Sequence, residues 1–135
     1  MKKTGLINSG ISAAIAGMGH TDSITVCDSG LPIPQNVQRI DLALVKGIPT
    51  FIETVEAVLL ELKVEEIVIA EEFEIASPAV CASLLEAVEK SNGKVKITKI
   101  AHEDFKRLSE TSKAIIRTGE FTPYANVILK SGVVF

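Results

Sequence analysis

Apolar residues recur at helical spacing in some stretches of this chain and form short, nearly continuous runs in others. A first helical pattern lies near the N terminus: Ile7, Ile11, Ala14, Ile15 and Met18. Asn8 or Ser9 can cap its start, and Gly17 and Gly19 can end it. The pattern predicts an amphipathic helix that ends just before a short apolar segment.

Two further helices carry start signals of their own. Thr50 and Glu53 match a capping box, in which each side chain accepts a free amide proton of the first turn. Ser77-Pro78 predicts another start, with Ser as the cap and Pro at the first position, where no amide is missed. Asn92-Gly93 ends that helix, and a short helix is predicted after His102. Their predicted inward positions are Phe51, Val55, Val58, Leu59, Leu62, Cys81, Leu84, Leu85, Val88, Phe105 and Leu108.

Strand-like segments separate these helices, at residues 23–27, 40–44, 66–70, 95–100, 114–117 and 126–130. Alternating strands and helices predict the α/β class, a single layered domain over residues 1–135 with a mostly parallel central sheet flanked by helices. Ligands of such sheets sit beyond the carboxyl ends of the strands. The candidate loops therefore begin at Asp28, after Ala70, at His102 and after Arg117.

Composition narrows the function classes. Hydrophobic residues make up 47% of the chain and the mean hydropathy is +0.33, but no apolar run approaches the ~20 residues of a membrane span. We therefore expect a homo-oligomer that hides the surplus apolar surface, and no membrane partner. With 14 basic residues, 17 acidic residues and 4% aromatics, nucleic acid is not an expected partner. No signal-peptide core follows Lys2-Lys3, and Cys27 and Cys81 form no CxxC pattern, so a cytoplasmic location is expected.

The strongest catalytic candidates, His20 and Asp28, lie on either side of the strand predicted at residues 23–27. His20 follows Gly19 at the end of the first helix, where the helix dipole favours a cationic imidazole that can deliver a proton. The alternative is a His that serves only as a helix C-cap. Asp28 begins a loop stiffened by Pro32 and Pro34, and it either forms an Asx-turn or acts in the site. In the site it would orient His20 or hold a substrate hydroxyl.

Other candidates follow later strands. His102 begins a short helix and either binds a hydroxyl or is simply solvated. Tyr124, the only tyrosine, and Asn126 suit a polyol, unless Tyr124 only packs in the core. Glu71-Glu72 is either an acid/base pair or, more simply, a solvated loop. Gly17-Met18-Gly19 follows a helix instead of a strand, which excludes a dinucleotide site, and the two His have no metal-ligand spacing. The chemistry left is proton transfer or simple binding.

The chain resembles the D-ribose pyranase family, which is related to the fucose mutarotases. The resemblance runs from residue 6 to the C terminus. It is carried by several strings in order: Leu6-Ile7-Asn8, Gly19-His20-Thr21-Asp22, Cys27-Asp28-Ser29-Gly30-Leu31-Pro32-Ile33-Pro34, Arg39-Ile40-Asp41-Leu42-Ala43, Ala70-Glu71-Glu72, His102-Glu103, Ile116-Arg117-Thr118-Gly119-Glu120 and Pro123-Tyr124-Ala125-Asn126. The version Leu31-Pro32-Ile33-Pro34 favours the ribose branch.

The resemblance implies interconversion of the β-pyranose and β-furanose forms of D-ribose, without a cofactor or metal, in a cytoplasmic ring-like decamer with sites between subunits. It implies His20 as the catalytic proton donor. It implies substrate binding by Asp28, His102, Tyr124, Ala125 and Asn126. The alternatives are a non-catalytic sugar-binding or transport-accessory module, or a fucose-type mutarotase.

One segment departs from the family pattern. Where the family often has a basic residue and Asn-Pro, this chain has Phe73-Glu74-Ile75-Ala76-Ser77-Pro78. We expect the change to affect a helix entry and not the sugar contacts. The apolar end Val133-Val134-Phe135 is expected to be packed, with a subunit contact as one possible place.

Overall fold

The computed structural model describes all residues from 1 to 135. The helices are α1 (Ser9–Ala16), α2 (Phe51–Leu59), α3 (Glu71–Ala76), α4 (Pro78–Asn92) and α5 (His102–Ser109). The strands are β1 (Ser23–Cys27), β2 (Gln38–Asp41), β3 (Val64–Ala70), β4 (Lys96–Ile100), β5 (Ala114–Arg117) and β6 (Val127–Ser131). None of these helices has both the length and the apolar character needed to cross a membrane.

The six strands form one sheet in the order β2-β5-β1-β6-β3-β4. All neighbouring pairs are parallel except the two that involve β6, which runs antiparallel to β1 and to β3. The predicted mostly parallel α/β sheet is therefore confirmed. Five strands end at one edge, where β6 begins. We call this edge the carboxyl edge and the opposite one the amino edge.

Alternating residues of the strands supply two cores, one on each face of the sheet. Ile24 and Val26 of β1 join the larger core, which includes α2 and α4, whereas Cys27 joins the smaller one. Phe105 of α5 covers the smaller core and is fully buried. Helices thus lie on both faces, as the pattern predicted, because the four inner strands β5, β1, β6 and β3 are mostly buried on both sides.

Two of the three predicted N-terminal capping residues form their cap hydrogen bonds. Asn8 accepts the amide proton of Ile11 at 2.9 Å and is the cap of α1. Thr50 and Glu53 form the reciprocal capping box of α2. Ser77 precedes α4, but its hydroxyl makes no cap hydrogen bond and instead donates to the Pro123 carbonyl at 2.9 Å.

Two segments differ from the sequence prediction. The second strand ends at Asp41, and Leu44 beyond it is exposed, because the chain turns through a tight β-bridge between Val45 and Ile48. Glu71-Glu72, expected in a solvated loop, begins helix α3. The acidic first turn of α3 suits the positive end of the helix dipole, and Phe73 anchors it in the larger core.

Candidate active site

Four of the predicted site residues meet at the carboxyl edge because of the sheet topology. Asp28 directly follows β1, and His102 begins α5 one residue after β4. Tyr124 and Asn126 belong to the loop that leads into β6, whose antiparallel direction starts it at this edge. Ala125, between them, is fully buried. Segments up to 98 residues apart in sequence are therefore brought into one place.

Asp28 and Asn126 hold each other in a reciprocal pair. The Asn126 carboxamide donates to Asp28 Oδ2 at 3.0 Å, and its Oδ1 accepts the Asp28 amide proton at 2.9 Å. Asp28 Oδ1 accepts the amide protons of Gly30 and Leu31, both at 2.9 Å. The Asx-turn interpretation of Asp28 is thus confirmed for Oδ1, whereas Oδ2 faces Asn126. Asn126 is fully buried, so its two bonds to Asp28 are shielded from water.

His102 and Tyr124 form an aromatic pair beside them. Their ring centroids are 4.9 Å apart with an interplanar angle of 83°. Tyr124 has φ 62°, a left-handed conformation that costs on the order of 1 kcal/mol in a non-glycine residue. His102 Nδ1 is buried and has no hydrogen-bond partner among the protein's own atoms. Tyr124 is partly buried and packs against the larger core, so its core interpretation holds in part.

Glu72 supports His102 from helix α3. Its two carboxylate oxygens accept the His102 amide proton at 3.0 and 3.2 Å. This bond satisfies an otherwise free amide in the first turn of α5, and it ties α3 to the start of α5. The sequence offered Glu72 only as an acid/base candidate or a loop residue. Its position just after a buried strand could be predicted from the sequence, but its contact with residue 102 depends on the β3–β4 pairing.

The loop after β5 is joined to the loop that contains Asp28. Thr118 donates its hydroxyl proton to the Cys27 carbonyl at 2.7 Å, and the Ser29 amide donates to the Glu120 carbonyl at 2.9 Å. Arg117 adds a bond from Nε to the Ser29 carbonyl at 3.1 Å and an ion pair with Asp41. These hydrogen bonds hold the two loops against each other.

Glu120 fixes the segment that carries Tyr124. Its Oε1 accepts three protons, from the Thr122 hydroxyl at 2.7 Å and from the amides of Thr122 and Phe121, and its Oε2 accepts the Phe51 amide proton at the start of α2. Partial burial acts to raise the pKa of Glu120, but these hydrogen bonds outweigh it and lower the pKa from its ordinary value.

Replacement of Glu120 by Gln is expected to lower the free energy of unfolding at neutral pH by about 1–2 kcal/mol, since three backbone amides would lose their charged acceptor. A carboxyl with a lowered folded-state pKa stabilises the fold above its unfolded pKa, and this stabilisation is lost as the pH falls through the folded pKa. The difference in free energy of unfolding between the wild type and Glu120→Gln should therefore vanish at low pH. Urea unfolding across pH measures this, with exposed Glu110→Gln as the control; a gap that does not change with pH would contradict it.

His20 lies elsewhere in the chain, at the amino edge, before β1. Asp28 follows the same strand, so the two are about 17 Å apart across five residues of β1. The idea that Asp28 orients His20 within one chain is therefore wrong. The C-cap alternative is wrong as well, because Gly17 caps α1. The carboxylate beside His20 is Glu65, with Oε2 2.9 Å and Oε1 3.1 Å from His20 Nε2.

Ser77, in the segment that departs from the family pattern, donates its hydroxyl proton to the carbonyl of Pro123, the residue before Tyr124. That this segment leaves the sugar contacts unchanged stays a prediction. The C-terminal Val134 and Phe135 are exposed and do not pack on their own chain.

Cys27 is buried, which raises the pKa of its thiol and keeps it protonated. No group of three or more His, Cys, Asp and Glu side chains is arranged to hold a metal ion.

The carboxyl-edge cluster combines a carboxylate, a carboxamide, an imidazole and a phenol on rigid supports. Such a set is chemically suited to a small polyhydroxylated molecule, with polar groups for hydroxyls and ring faces for the carbon skeleton. The chain belongs to the RbsD / FucU transport protein family, whose model matches residues 1–134.

Individual relatives are similar in sequence to this chain over its whole length. D-ribose pyranase of Clostridium novyi (strain NT) is 57% identical over 135 residues, and both chains are fully covered. D-ribose pyranase of Vibrio parahaemolyticus is 54% identical over 139 residues, again with full coverage of both. The structure of Bacillus subtilis RbsD complexed with D-ribose superposes with a TM-score of 0.93 at 41% identity, covering 100% of each chain. The fucose mutarotase of Streptococcus pneumoniae in complex with L-fucose gives 0.79 at 26%, over 96% of this chain and 95% of that one.

Proposed function

We propose that this protein catalyses the interconversion of the β-pyranose and β-furanose forms of D-ribose. The cluster of Asp28, His102, Tyr124 and Asn126 carries the proposal. The cluster offers several polar groups that can bind the hydroxyls of a sugar. The fold superposes with a TM-score of 0.93 on Bacillus subtilis RbsD, whose structure was determined in complex with D-ribose. The relatives named D-ribose pyranase, at 54–57% identity over the full chain, support the reaction.

The reaction needs a proton at the ring oxygen and the loss of one from the anomeric hydroxyl. The C1–O bond then breaks and its electron pair goes to the ring oxygen, which leaves the open aldehyde. Closure through the C4 hydroxyl gives the furanose. His20 is the proposed proton donor, and Asp28, His102, Tyr124, the backbone at Ala125, and Asn126 would hold the hydroxyls. General acid–base help of this kind is worth about 10²–10⁴-fold.

A complete site then needs two copies of the chain. His20 and Asp28 are about 17 Å apart, beyond the span of one pentose, so His20 of one subunit must reach the Asp28 cluster of another. Exposed apolar side chains supply contact area for such an assembly: Ile7, Leu44, Leu60, Ile75, Phe121, Val134 and Phe135. We propose a homo-oligomer with sites between subunits. A ring-like decamer in the cytoplasm is the form that the family resemblance implies.

Mixing two inactive variants tests the shared site. His20→Ala and Asn126→Asp each spoil one half of a site, so oligomers formed by refolding both together should regain sites with two intact halves. With random assembly of equal amounts, about a quarter of the wild-type sites should be intact if each site joins two chains. Each variant refolded alone is the control. Mixed oligomers that stay as inactive as their parents would contradict a shared site.

A non-catalytic sugar-binding or transport-accessory module is the competing function, since it would use the same cluster without proton transfer. Ribose binding does not separate the two. Exchange between pyranose and furanose signals, followed by saturation-transfer NMR with purified protein, does separate them. The same measurement with fucose tests the fucose-type alternative, which the 26% identity to the fucose mutarotase supports less than the ribose branch.

A further inference from the structure

The ring of His20 is held by one nitrogen. Nε2 lies 2.9 and 3.1 Å from the two oxygens of Glu65, at the start of β3. An ionised carboxylate has no proton to give, so Nε2 is the donor in this pair. Nδ1 makes no hydrogen bond within the chain, and 52% of the side chain is exposed. The contact therefore leaves Nδ1 as the ring nitrogen available to a substrate.

The backbone around this pair is fixed on both sides. Thr21, next to His20, has φ 69° and donates its amide proton to the Ser131 carbonyl at 3.0 Å. Asp22 accepts the Gly19 amide proton at 2.9 Å and pairs with Lys113, so these two charges face each other and not the imidazole. A strained non-glycine conformation beside a candidate catalytic residue is the pattern expected where a side chain must be aimed.

Glu65 lies beside the turn after β6. The Gly132 amide donates to the Lys63 carbonyl at 2.9 Å, and a Cβ at Gly132 would lie only 3.1 Å from Glu65 Cβ. The glycine therefore leaves beside Glu65 a space that a larger residue would crowd. Neighbouring Glu66 is bound instead by Thr98, Lys96 and Lys130. Only one of the two adjacent glutamates therefore serves His20.

We propose that Glu65 is the positioning residue for His20 and that Nδ1 of His20 is the atom that exchanges a proton with the sugar, an inference that rests on the proposed function. The Nδ1 proton goes to the ring oxygen as the C1–O bond breaks, and a water takes the proton of the anomeric hydroxyl. On closure the C4 oxygen bonds to C1 and gives its proton to Nδ1, while the C1 oxygen regains a proton from water. Glu65 keeps Nε2–H bonded throughout; it stabilises the cationic ring before the first transfer and after the last, and it holds the neutral ring as the Nε2–H tautomer in between.

The test combines rates with ¹⁵N NMR of the imidazole. With only two His in the chain, the signals of His20 are assigned by their loss in His20→Ala. In the wild type the neutral ring of His20 should carry its proton on Nε2. Glu65→Ala should let the proton distribute over both nitrogens and lower kcat about 10- to 100-fold with KM unchanged, a smaller loss than that from removing the acid itself. Glu65→Gln keeps an acceptor oxygen and should lie between the two.

Glu66→Gln is the matched control, since it removes the same charge one residue away, and it should leave tautomer and kcat as in the wild type. In a His20→Ala background, Glu65→Ala should cause no further loss. A wild-type kcat in both Glu65 variants, or a neutral ring protonated on Nδ1, would overturn the inference while an inactive His20→Ala keeps the proposed function. A fully active His20→Ala would remove His20 from the mechanism, whereas a wild-type protein that does not speed the exchange would overturn the proposed function itself. If Glu65→Ala does not fold, Glu65→Gln decides.

Discussion

Replacement of His20 by Ala is expected to lower the rate of pyranose–furanose exchange by about 10²–10⁴-fold, the worth of one general acid–base group. Ribose affinity should change much less, because the groups proposed to hold the hydroxyls lie at the other edge of the sheet. The imidazole is half exposed and packs in neither core, so the fold should be unaffected. Exchange rates from NMR and ribose binding by calorimetry, on the same preparation, measure the two effects.

The exchange rate and the ribose affinity of His20→Ala together decide the role of His20. A normal exchange rate with normal binding would remove His20 from the mechanism. Loss of both, with a changed oligomer size, would assign His20 to assembly instead of proton transfer. Light scattering on the variant therefore belongs to the experiment.

Replacement of Asn126 by Asp should have the largest effect on binding and stability together. The change is nearly isosteric, but it replaces the amide that donates to Asp28 Oδ2 at 3.0 Å by a second carboxylate in a fully buried position. Two carboxylates at this distance cannot both be ionised, so the pKa of the pair should rise above its unfolded value. We expect ribose binding to be lost at neutral pH and the free energy of unfolding to fall by about 3 kcal/mol.

The pH dependence of that variant has a definite sign. A carboxyl pair with a raised folded-state pKa is least harmful at low pH and destabilises the fold as the pH rises through that pKa. Asn126→Asp should therefore approach the wild type in acid. Asn36→Asp, the same chemical change on an exposed loop residue, is the control and should be near neutral. A stability loss that is the same at every pH would point to packing and contradict the electrostatic account.

The parts of the fold that depend on local chemistry could be predicted from the sequence. Thr50 and Glu53 form their capping box because both partners lie within four residues. Gly93 ends α4 with φ 72°, a conformation that favours glycine. The carboxyl-edge cluster was also predictable in outline, because parallel strands place their following loops at one edge.

The rest depends on contacts between distant segments. His20 and Asp28 look like a pair because eight positions separate them, yet a strand between them places them at opposite edges. Glu65 carries no local signal, since an exposed Glu at a strand start is ordinary, and its contact with His20 spans 45 residues. Ser77 followed by Pro78 resembles a helix cap, but tertiary contact directs its hydroxyl to Pro123 instead. Only Ser77 is a case in which the packing overrode a valid local preference; the separation of His20 and Asp28 already followed from the strand predicted between them, and Glu65 gave no local signal to read.

The central claim is that this chain catalyses the ring interconversion of ribose and does not merely bind the sugar. Saturation-transfer NMR of D-ribose with the purified full-length protein, without added cofactor, tests it most directly. The account predicts exchange between the β-pyranose and β-furanose signals well above the spontaneous rate, in proportion to protein concentration, and near the spontaneous rate with His20→Ala. Ribose binding with exchange no faster than in buffer would contradict it and favour the non-catalytic binding module.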